Sequence, residues 1–438
     1  VTIAAGSIAT SVFSSFPYFT IIQGEQFPQL MAFSLVPSAC AFVRFALSPN
    51  GKTGALSIAI ESVCIFLTLC LSQTNAIFVV GIFFGFCLIS WVFTVSSVFE
   101  EKQRFRFRLQ FSLITIAAAS VLWVGLYFAP FMSGVVSFSW ESFASPAQAT
   151  LNAALLSLNN SSSPQPLLAL FVLIGGIHLL VKRCNIWLVS LYLFAICIYI
   201  VDTSSDGFLK HFLAGFWYTD PNRISAMVAI FGIPLATKGI ASLISLIAGK
   251  RKVAKRHARS RLALAFGAGI LALLIMVFPS FSLGDSIRVS TAFGDKIDNM
   301  RYLTSSTFPS ILDNDEQSFM DLAKNEIPDG ELIINIPSDG SCFLYGLDGM
   351  NLYFRREQGT SDQARIIRLH LDEYATNHLV QDAVRACGAR YVLVLDPSTS
   401  FHTYRYEDWA GISSITNDTP GFETVLQRGD MALYKIIT

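Results

Sequence analysis

The sequence predicts a polytopic α-helical membrane bundle over residues 1–281, followed by a small extracytoplasmic α/β domain over residues 282–438. Three observations predict it. Mean hydropathy is +0.52, above the range of soluble domains. The apolar residues, 53% of the chain, fall in blocks long enough to cross a bilayer. Charge divides the chain: 18 Lys/Arg stand against 8 Asp/Glu before Ser282, and 13 against 23 from there on. A net of +10 beside a net of −10 indicates two environments.

Nine apolar runs are candidate spans: Val1–Ile22, Gln29–Leu47, Ala55–Leu71, Ala76–Val98, Phe111–Pro130, Leu167–Val181, Ile186–Val201, Ile224–Leu246 and Leu262–Phe281. The sixth and seventh are shorter than the ~20 residues of a full span and must borrow flanking residues. Val1 stands inside the first run, with no basic n-region or small-residue cleavage site, so a fragment with upstream residues missing is expected. Loop charge sets the orientation. The alternate loops "RFALSPNGK", "EEKQRFRFR", "KRCN" and "GKRKVAKRHARSR" carry 15 Lys/Arg, and the opposite set carries 2, Lys210 and Arg223. By the positive-inside rule the basic loops are cytoplasmic, and the run Lys250–Arg261 is a topology anchor near anionic lipid, with no role in nucleic-acid binding.

In the outer loop Phe131–Pro166, "SPAQATLNAALLSLNN" offers Ser145 as N-cap and Pro146 as first helical residue. Leu151, Ala154, Leu155 and Leu158 follow at helical spacing, so a helix on the outer membrane surface is expected, the alternative being a loop packed on the bundle. Beyond Ser282, "ELIINI" (Glu331–Ile336) and "RYVLVLD" (Arg390–Asp396) read as neighbouring strands, with "NLYFRR" a shorter one. Asp362–Cys387 has helical spacing and ends at Gly388, as a C-cap would. "FETVLQRGDMALYKII" reads as two strands joined by a turn at Arg428–Asp430. In "IPSDGSCFLYGL", Asp339 and Ser341 either cap an ordinary turn or open a helix start that holds an anion. Six of the eight cysteines lie in or beside apolar runs, and no C-x-x-C spacing occurs. Cys342 and Cys387 are the two that an oxidising compartment would allow to pair.

"WYTDPNRISAM" (Trp217–Met227), "IPSDGSCFLYGLDGMNLYFRR", "GARYVLVLD" and "PGFETVLQRGDMALYKI" occur in that order after a multi-pass bundle. In these stretches the chain resembles a family of large, uncharacterised actinobacterial membrane proteins, a domain-of-unknown-function family. That family is similar in layout to GT-C fold glycosyltransferases. The resemblance implies transfer of a sugar from a polyprenyl-phosphate carrier to a cell-envelope glycan acceptor on the extracytoplasmic face of the cell membrane. It also implies an essential acid in the first outer loop. The first visible outer loop, "QGEQFPQ", holds only Glu25.

Such transfer needs a carboxylate to take the acceptor proton, and positive charge or a divalent metal on the leaving phosphate. One outer loop concentrates both. It holds the acids Asp202, Asp206 and Asp220 as catalytic candidates, and Lys210 and Arg223, with His211 beside them, to bind the phosphate. Trp217 and Tyr218 are placed to stack on a sugar or to sit in an interfacial aromatic belt. Asp220 equally reads as the N-cap of the following span, with Arg223 as its ion-pair partner or a headgroup anchor. Glu61 is an acid inside a span, for which a partner in the bundle is expected. His178 and Lys238 lie toward the cytoplasmic end, where snorkelling accounts for them. The competing function is a non-enzymatic envelope protein binding glycan or a partner. A transporter is disfavoured, because matched Gly/Pro-broken spans in two halves are missing.

The orientation is testable by thiol labelling in intact cells whose outer barriers the reagent crosses. Cysteine at Asn222 or Asn417 is expected to react with a membrane-impermeant reagent, and cysteine at Lys255 is expected to stay protected. The reverse pattern overturns the topology.

Overall fold

A computed structural model describes residues 2–22, 26–47, 54–158, 163–249, 291–305, 312–356, 361–396 and 406–437, with a few more between 267 and 289. The chain divides into two compact units, Val1–Arg301 and Tyr302–Thr438.

The first unit is a helical bundle. Helices α1 (Thr2–Thr10) and α2 (Phe19–Ile22) precede α3 (Phe27–Ala46), α4 (Ala55–Ser72), α5 (Asn75–Val95) and α6 (Glu101–Tyr127). The short α7 (Ser133–Val136) and α8 (Pro146–Leu155) lead to α9 (Pro166–Val181), α10 (Ile186–Ser204), α11 (Phe208–Ala214) and α12 (Pro221–Gly249). Among the described residues, five stretches are long and apolar enough to cross a membrane: Phe27–Ala46, Asn75–Val98, Glu101–Tyr127, Ile186–Ser204 and Pro221–Ser245. Leu56–Ser72 and Pro166–Val181 are apolar but shorter. The expected single span Val1–Ile22 is broken. A five-residue π turn, Ser14–Tyr18, carries Pro17 and separates α1 from α2, and proline supplies no N–H to a continuous ladder. Most of the expected span Leu262–Phe281 lies outside the described residues.

The outward faces are apolar. Helix α6 buries none of its residues, and Phe105, Leu109, Leu113, Ile114, Val121 and Leu122 are all exposed along it. So large an apolar face suits hydrocarbon and not water. Glu61 departs from expectation. It is exposed on α4 and has no partner among the described residues, because α4 turns Leu69 inward instead. Helix α8 is capped as expected, Ser145 accepting the Gln148 N–H at 3.2 Å. It packs on α10 through the small residues Ala149 and Ala153.

Helix α12 is the centre of the bundle, with 67% of its apolar window buried. It packs on α1, α9 and α10. Two glycines set the closest approach. A Cβ at Gly175 of α9 would overlap the Leu235 carbonyl, and one at Gly239 of α12 would overlap the Phe171 carbonyl. Small residues let helix backbones touch where lipid offers no hydrophobic drive to associate.

The segment Ser282–Arg301, expected in the polar domain, clusters with the helical unit. Its strands β1 (Phe281–Leu283) and β2 (Ile287–Val289) form an antiparallel pair. The helix Ala292–Leu303 then brings Phe293 edge-on to Tyr18 at 4.9 Å and Lys296 to 4.6 Å over the Phe19 ring.

The second unit is a five-stranded sheet in the order β4-β3-β5-β7-β6, with β3 Leu332–Asn335, β4 Asn351–Leu352, β5 Ala389–Val394, β6 Phe422–Arg428 and β7 Met431–Ile436. As expected, β3 and β5 are parallel neighbours, and β6 and β7 form a hairpin turning at Gly429, φ +61°. The helical stretch between β4 and β5 is two helices, Asp362–His370 and His378–Cys387. Asn377 caps the second by accepting the Leu379 N–H, and Gly388 closes it at φ +76°. Cys342 and Cys387 are free thiols.

Gly175→Ala or Gly239→Ala is expected to destabilise the bundle by about 1–3 kcal/mol, since the new methyl meets backbone. Gly81→Ala on α5, where a Cβ meets nothing within 4 Å, is expected to be neutral or stabilising by up to about 1 kcal/mol. Thermal unfolding in detergent separates the two classes.

Candidate functional site

The C-terminus of α10 and the N-terminus of α12 meet at one end of the bundle. The chain between them ends in a 3₁₀ turn, Gly215–Trp217, and then two consecutive left-handed residues, Tyr218 at φ +61° and Thr219 at φ +48°. A β-branched residue there is strained by on the order of 1–3 kcal/mol. Hydrogen bonds hold it. Thr219 N–H donates to Ala214 O at 3.2 Å, Thr219 Oγ1 accepts the Trp140 N–H at 2.9 Å, and its hydroxyl donates to Phe138 O at 3.2 Å.

Asp220 follows and caps α12, its Oδ1 accepting the Asn222 N–H at 2.8 Å with Pro221 as the first helical residue. Its Oδ2 lies 3.2 Å from Arg223 Nε. The contact is an ion pair and not an aligned hydrogen bond, so Arg223 Nε and Nη1 are buried with no hydrogen-bond acceptor. The Arg223 guanidinium also lies 4.5 Å over the Tyr218 ring.

Asp202, in the last turn of α10, is 1% exposed, and neither carboxylate oxygen accepts a hydrogen bond. Lys210 and Asp220 are the charged groups that act on it. Lys210 is equally buried. Its Nζ donates to Trp140 O at 2.6 Å and stands 4.0 Å from Asp206 Oδ1. The Asp206 side chain is 70% exposed and accepts the Ser142 hydroxyl at 2.9 Å. The Phe143 and Ala144 N–H groups both donate to Thr203 O at 3.1 Å. The segment from Phe138 to Ala144 is thus a strap across this end, tied to Lys210, Thr219, Asp206 and Thr203.

Beneath the strap is an aromatic floor. Trp217, expected from sequence either to stack on a sugar or to sit in an interfacial aromatic belt, is wholly buried there, 6.2 Å from both Phe78 and Trp123. Phe216 stacks on Phe78 at 4.2 Å. The Trp217 Nε1 has no hydrogen-bond partner, and neither has either amide atom of Asn75, a buried residue one turn before Phe78 on α5. Tyr218 is already engaged by Arg223.

His211 faces away from this cluster. Its Nδ1 lies 2.8 Å from Val136 O. A carbonyl only accepts, so Nδ1 carries the hydrogen and Nε2 of the neutral ring is an acceptor. His211 lines a groove of about 450 Å³ with Tyr127, Phe128, Pro130, Val136 and Phe208.

Asp339 and Ser341 belong to the second unit and form a closed knot. Asp339 accepts the Ser341 N–H at 2.8 Å and the Leu395 N–H at 3.0 Å. Ser341 accepts from Asn335 Nδ2 at 3.0 Å and donates to Ile336 O at 2.9 Å. Burial pushes the Asp339 carboxyl up to about 6, against the pull of those donors. The motif ties the end of β3 to the end of β5, which is the capped-turn reading of it. Among the described residues, no group of three or more His, Cys, Asp and Glu side chains is arranged to hold a metal ion.

Sequence reasoning missed Asn75, Thr219 and Trp140. Asn75 reads as a loop residue opening a span, and Thr219 carries no sign of its backbone conformation. Trp140 lies far in sequence from the groups its backbone binds.

The sequence model described as "Family of unknown function (DUF6541)" matches residues 1–438, so the chain belongs to that family. No curated protein matches it.

Two substitutions separate the roles of the acids. Asp220→Ala removes a cap and strands a buried guanidinium, and is expected to lower stability by about 1–3 kcal/mol. Asp202→Asn breaks no hydrogen bond and keeps the side chain's size, so the melting temperature is expected to hold or rise. Both are read by thermal unfolding of the purified protein.

Proposed function

We propose that this family member is a GT-C-like membrane glycosyltransferase. It transfers a sugar from a polyprenyl-phosphate carrier to a cell-envelope acceptor on the extracytoplasmic face. The observation that carries the reading is Asp202, a carboxylate 1% exposed with both oxygens free of hydrogen bonds. An ionisable group buried at the end of a span without a hydrogen bond is costly, and such groups concentrate where they act on a substrate. The finer arrangement proposed with it is about nine spans, basic loops at the cytoplasmic face, and residues 282–438 outside.

In this reading Asp202 is the base. The acceptor hydroxyl gives its proton to a carboxylate oxygen, its own oxygen bonds to the anomeric carbon, and the bond from that carbon to the carrier phosphate breaks. The electron pair leaves with the phosphate. Lys210, the Arg223 guanidinium with its unbonded Nε and Nη1, and the N–H end of α12 offset the charge that develops. Asp220 orients Arg223, and exposed Asp206 stands at the approach. Entry of substrate breaks the contacts of the Phe138–Ala144 strap. Water is excluded while they hold, which strengthens every charge interaction inside.

The test is transfer from a polyprenyl-phosphate sugar by purified full-length protein in liposomes. Asp202→Asn is expected to lower the rate by roughly 10²-fold or more while the protein stays folded. Arg223→Ala is expected to weaken carrier binding by roughly ten- to a hundredfold, and Arg223→Lys by less. Transfer by Asp202→Asn at the parent rate removes Asp202 as the base. Carrier binding by Arg223→Ala at the parent level reduces Arg223 to a cap partner.

A further inference from the structure

The groove that His211 lines is not used by the site just described. Three elements wall it: the end of α6 at Tyr127 and Phe128, the turn of α7 at Val136 and Ser137, and α11 at Phe208 and His211. Side chains fasten these walls to one another. Trp123 Nε1 of α6 donates to Phe212 O of α11 at 2.9 Å. His211 Nδ1 donates to Val136 O of α7 at 2.8 Å. Tyr127 stands edge-on to Phe208 at 6.0 Å and to Phe212 at 5.3 Å. The groove is therefore formed without a ligand.

Position and polarity together select the occupant. Val121, Val124 and Phe128 are exposed at helical spacing along α6, so the apolar outward face of that helix runs into the groove. Phe128 and Phe208 are 68% and 65% exposed, as aromatic rings at a lipid interface are. Among the residues that line the groove, none is Asp, Glu, Lys or Arg. The neighbouring cation, Lys210, is buried and held by Trp140 O and Asp206. A phosphate headgroup would meet no fixed counter-charge there. What the groove offers is neutral. With Nδ1 committed to Val136 O, Nε2 is the acceptor that His211 has left. The hydroxyls of Tyr127 and Ser137 have no hydrogen-bond partner among the described residues and are free to donate. One acceptor and two donors beside apolar rings complement a glycerolipid that lacks a phosphate, with its one free hydroxyl and two ester carbonyls.

We propose that this groove is a binding site for a diacylglycerol-type lipid of the surrounding bilayer. The lipid hydroxyl donates to His211 Nε2, its ester carbonyls accept from Tyr127 and Ser137, and its chains leave along the exposed face of α6. The volume of about 450 Å³ lies in the range of small-molecule sites and takes the head and the first carbons of each chain. The site is independent of the transfer reaction, since none of its groups belongs to the Asp202 cluster.

The test is photo-labelling of the full chain in phosphatidylcholine liposomes. One set carries a trace of diacylglycerol with a diazirine on the first carbons of one chain, and the other carries phosphatidylglycerol with the same diazirine chain. Labelled peptides are mapped by mass spectrometry. Diacylglycerol labelling is expected to peak in residues 127–137 and 207–212 and to be displaced by unlabelled diacylglycerol. It is expected to exceed phosphatidylglycerol labelling there by roughly threefold or more. His211→Phe removes the acceptor and is expected to lower the displaceable labelling by roughly two- to tenfold, the span of one neutral hydrogen bond. That variant also unfastens α7 from α11. The double variant Ser137→Ala with Phe208→Ala changes only exposed positions, and is expected to lower the labelling by roughly threefold or more with the melting temperature kept. Equal labelling by the two probes, or labelling that unlabelled diacylglycerol does not displace, reduces the groove to ordinary bilayer contact and overturns the proposal. So does displaceable labelling that the double variant leaves unmoved.

Discussion

The close approach of α9 and α12 at Gly175 and Gly239 positions everything at the polar end of the bundle. Where the surroundings are apolar, helices gain little from burying more apolar surface against one another, so steric fit has to select their arrangement. The two glycines provide that fit by letting each backbone meet the carbonyl of the other. With α12 fixed, its N-terminus is fixed, and so are the Asp220 cap, the Arg223 ion pair and the strained Tyr218–Thr219 turn. The strap then follows, because Trp140 is held from one side by Thr219 and from the other by Lys210.

A second constraint acts on what this scaffold encloses. Polar groups buried away from water are normally hydrogen-bonded, since each unmade bond leaves a desolvation cost of about 1–3 kcal/mol or more. The second unit obeys this rule at Asp339, Ser341 and Asn335, where every contact closes on another. The polar end of the bundle breaks it at Asp202, Arg223, Asn75 and Trp217. Two knots of similar composition therefore read differently. One is complete and holds strands together, and the other leaves buried donors and acceptors unbonded.

Much of this was legible in sequence, for identifiable reasons. The Asp-Pro-Asn-Arg order announced a capped helix start, because capping depends only on residues within one turn. Parallel β3 and β5 followed from two β-rich runs separated by a helical stretch, which is the usual crossover. Concentration of three acids and two cations in one loop marked the right region. What failed depended on contacts distant in sequence. Trp217 carries the composition of a ligand platform, but Phe78 and Trp123 enclose it. Glu61 was expected to find a partner within the bundle, yet α4 presents it outward. The break near Pro17 split an expected span, because hydropathy does not register a missing N–H. That Asp202 alone among the loop acids lacks any hydrogen bond is invisible in a string, since Asp206 and Asp220 have the same chemistry and differ only in their neighbours.

We propose that Asp202 is left unbonded because a substrate hydroxyl completes it. The most direct measurement is an electron cryo-microscopy structure of the full-length protein in lipid with a non-hydrolysable polyprenyl-phosphate sugar analogue and an acceptor glycan. If Asp202 is the base, an acceptor hydroxyl lies within about 3 Å of an Asp202 oxygen, the carrier phosphate lies beside Arg223 and Lys210, and the Phe138–Ala144 strap is displaced or refolded over the ligand. A ligand bound elsewhere, with Asp202 still buried and without a polar neighbour, would contradict it.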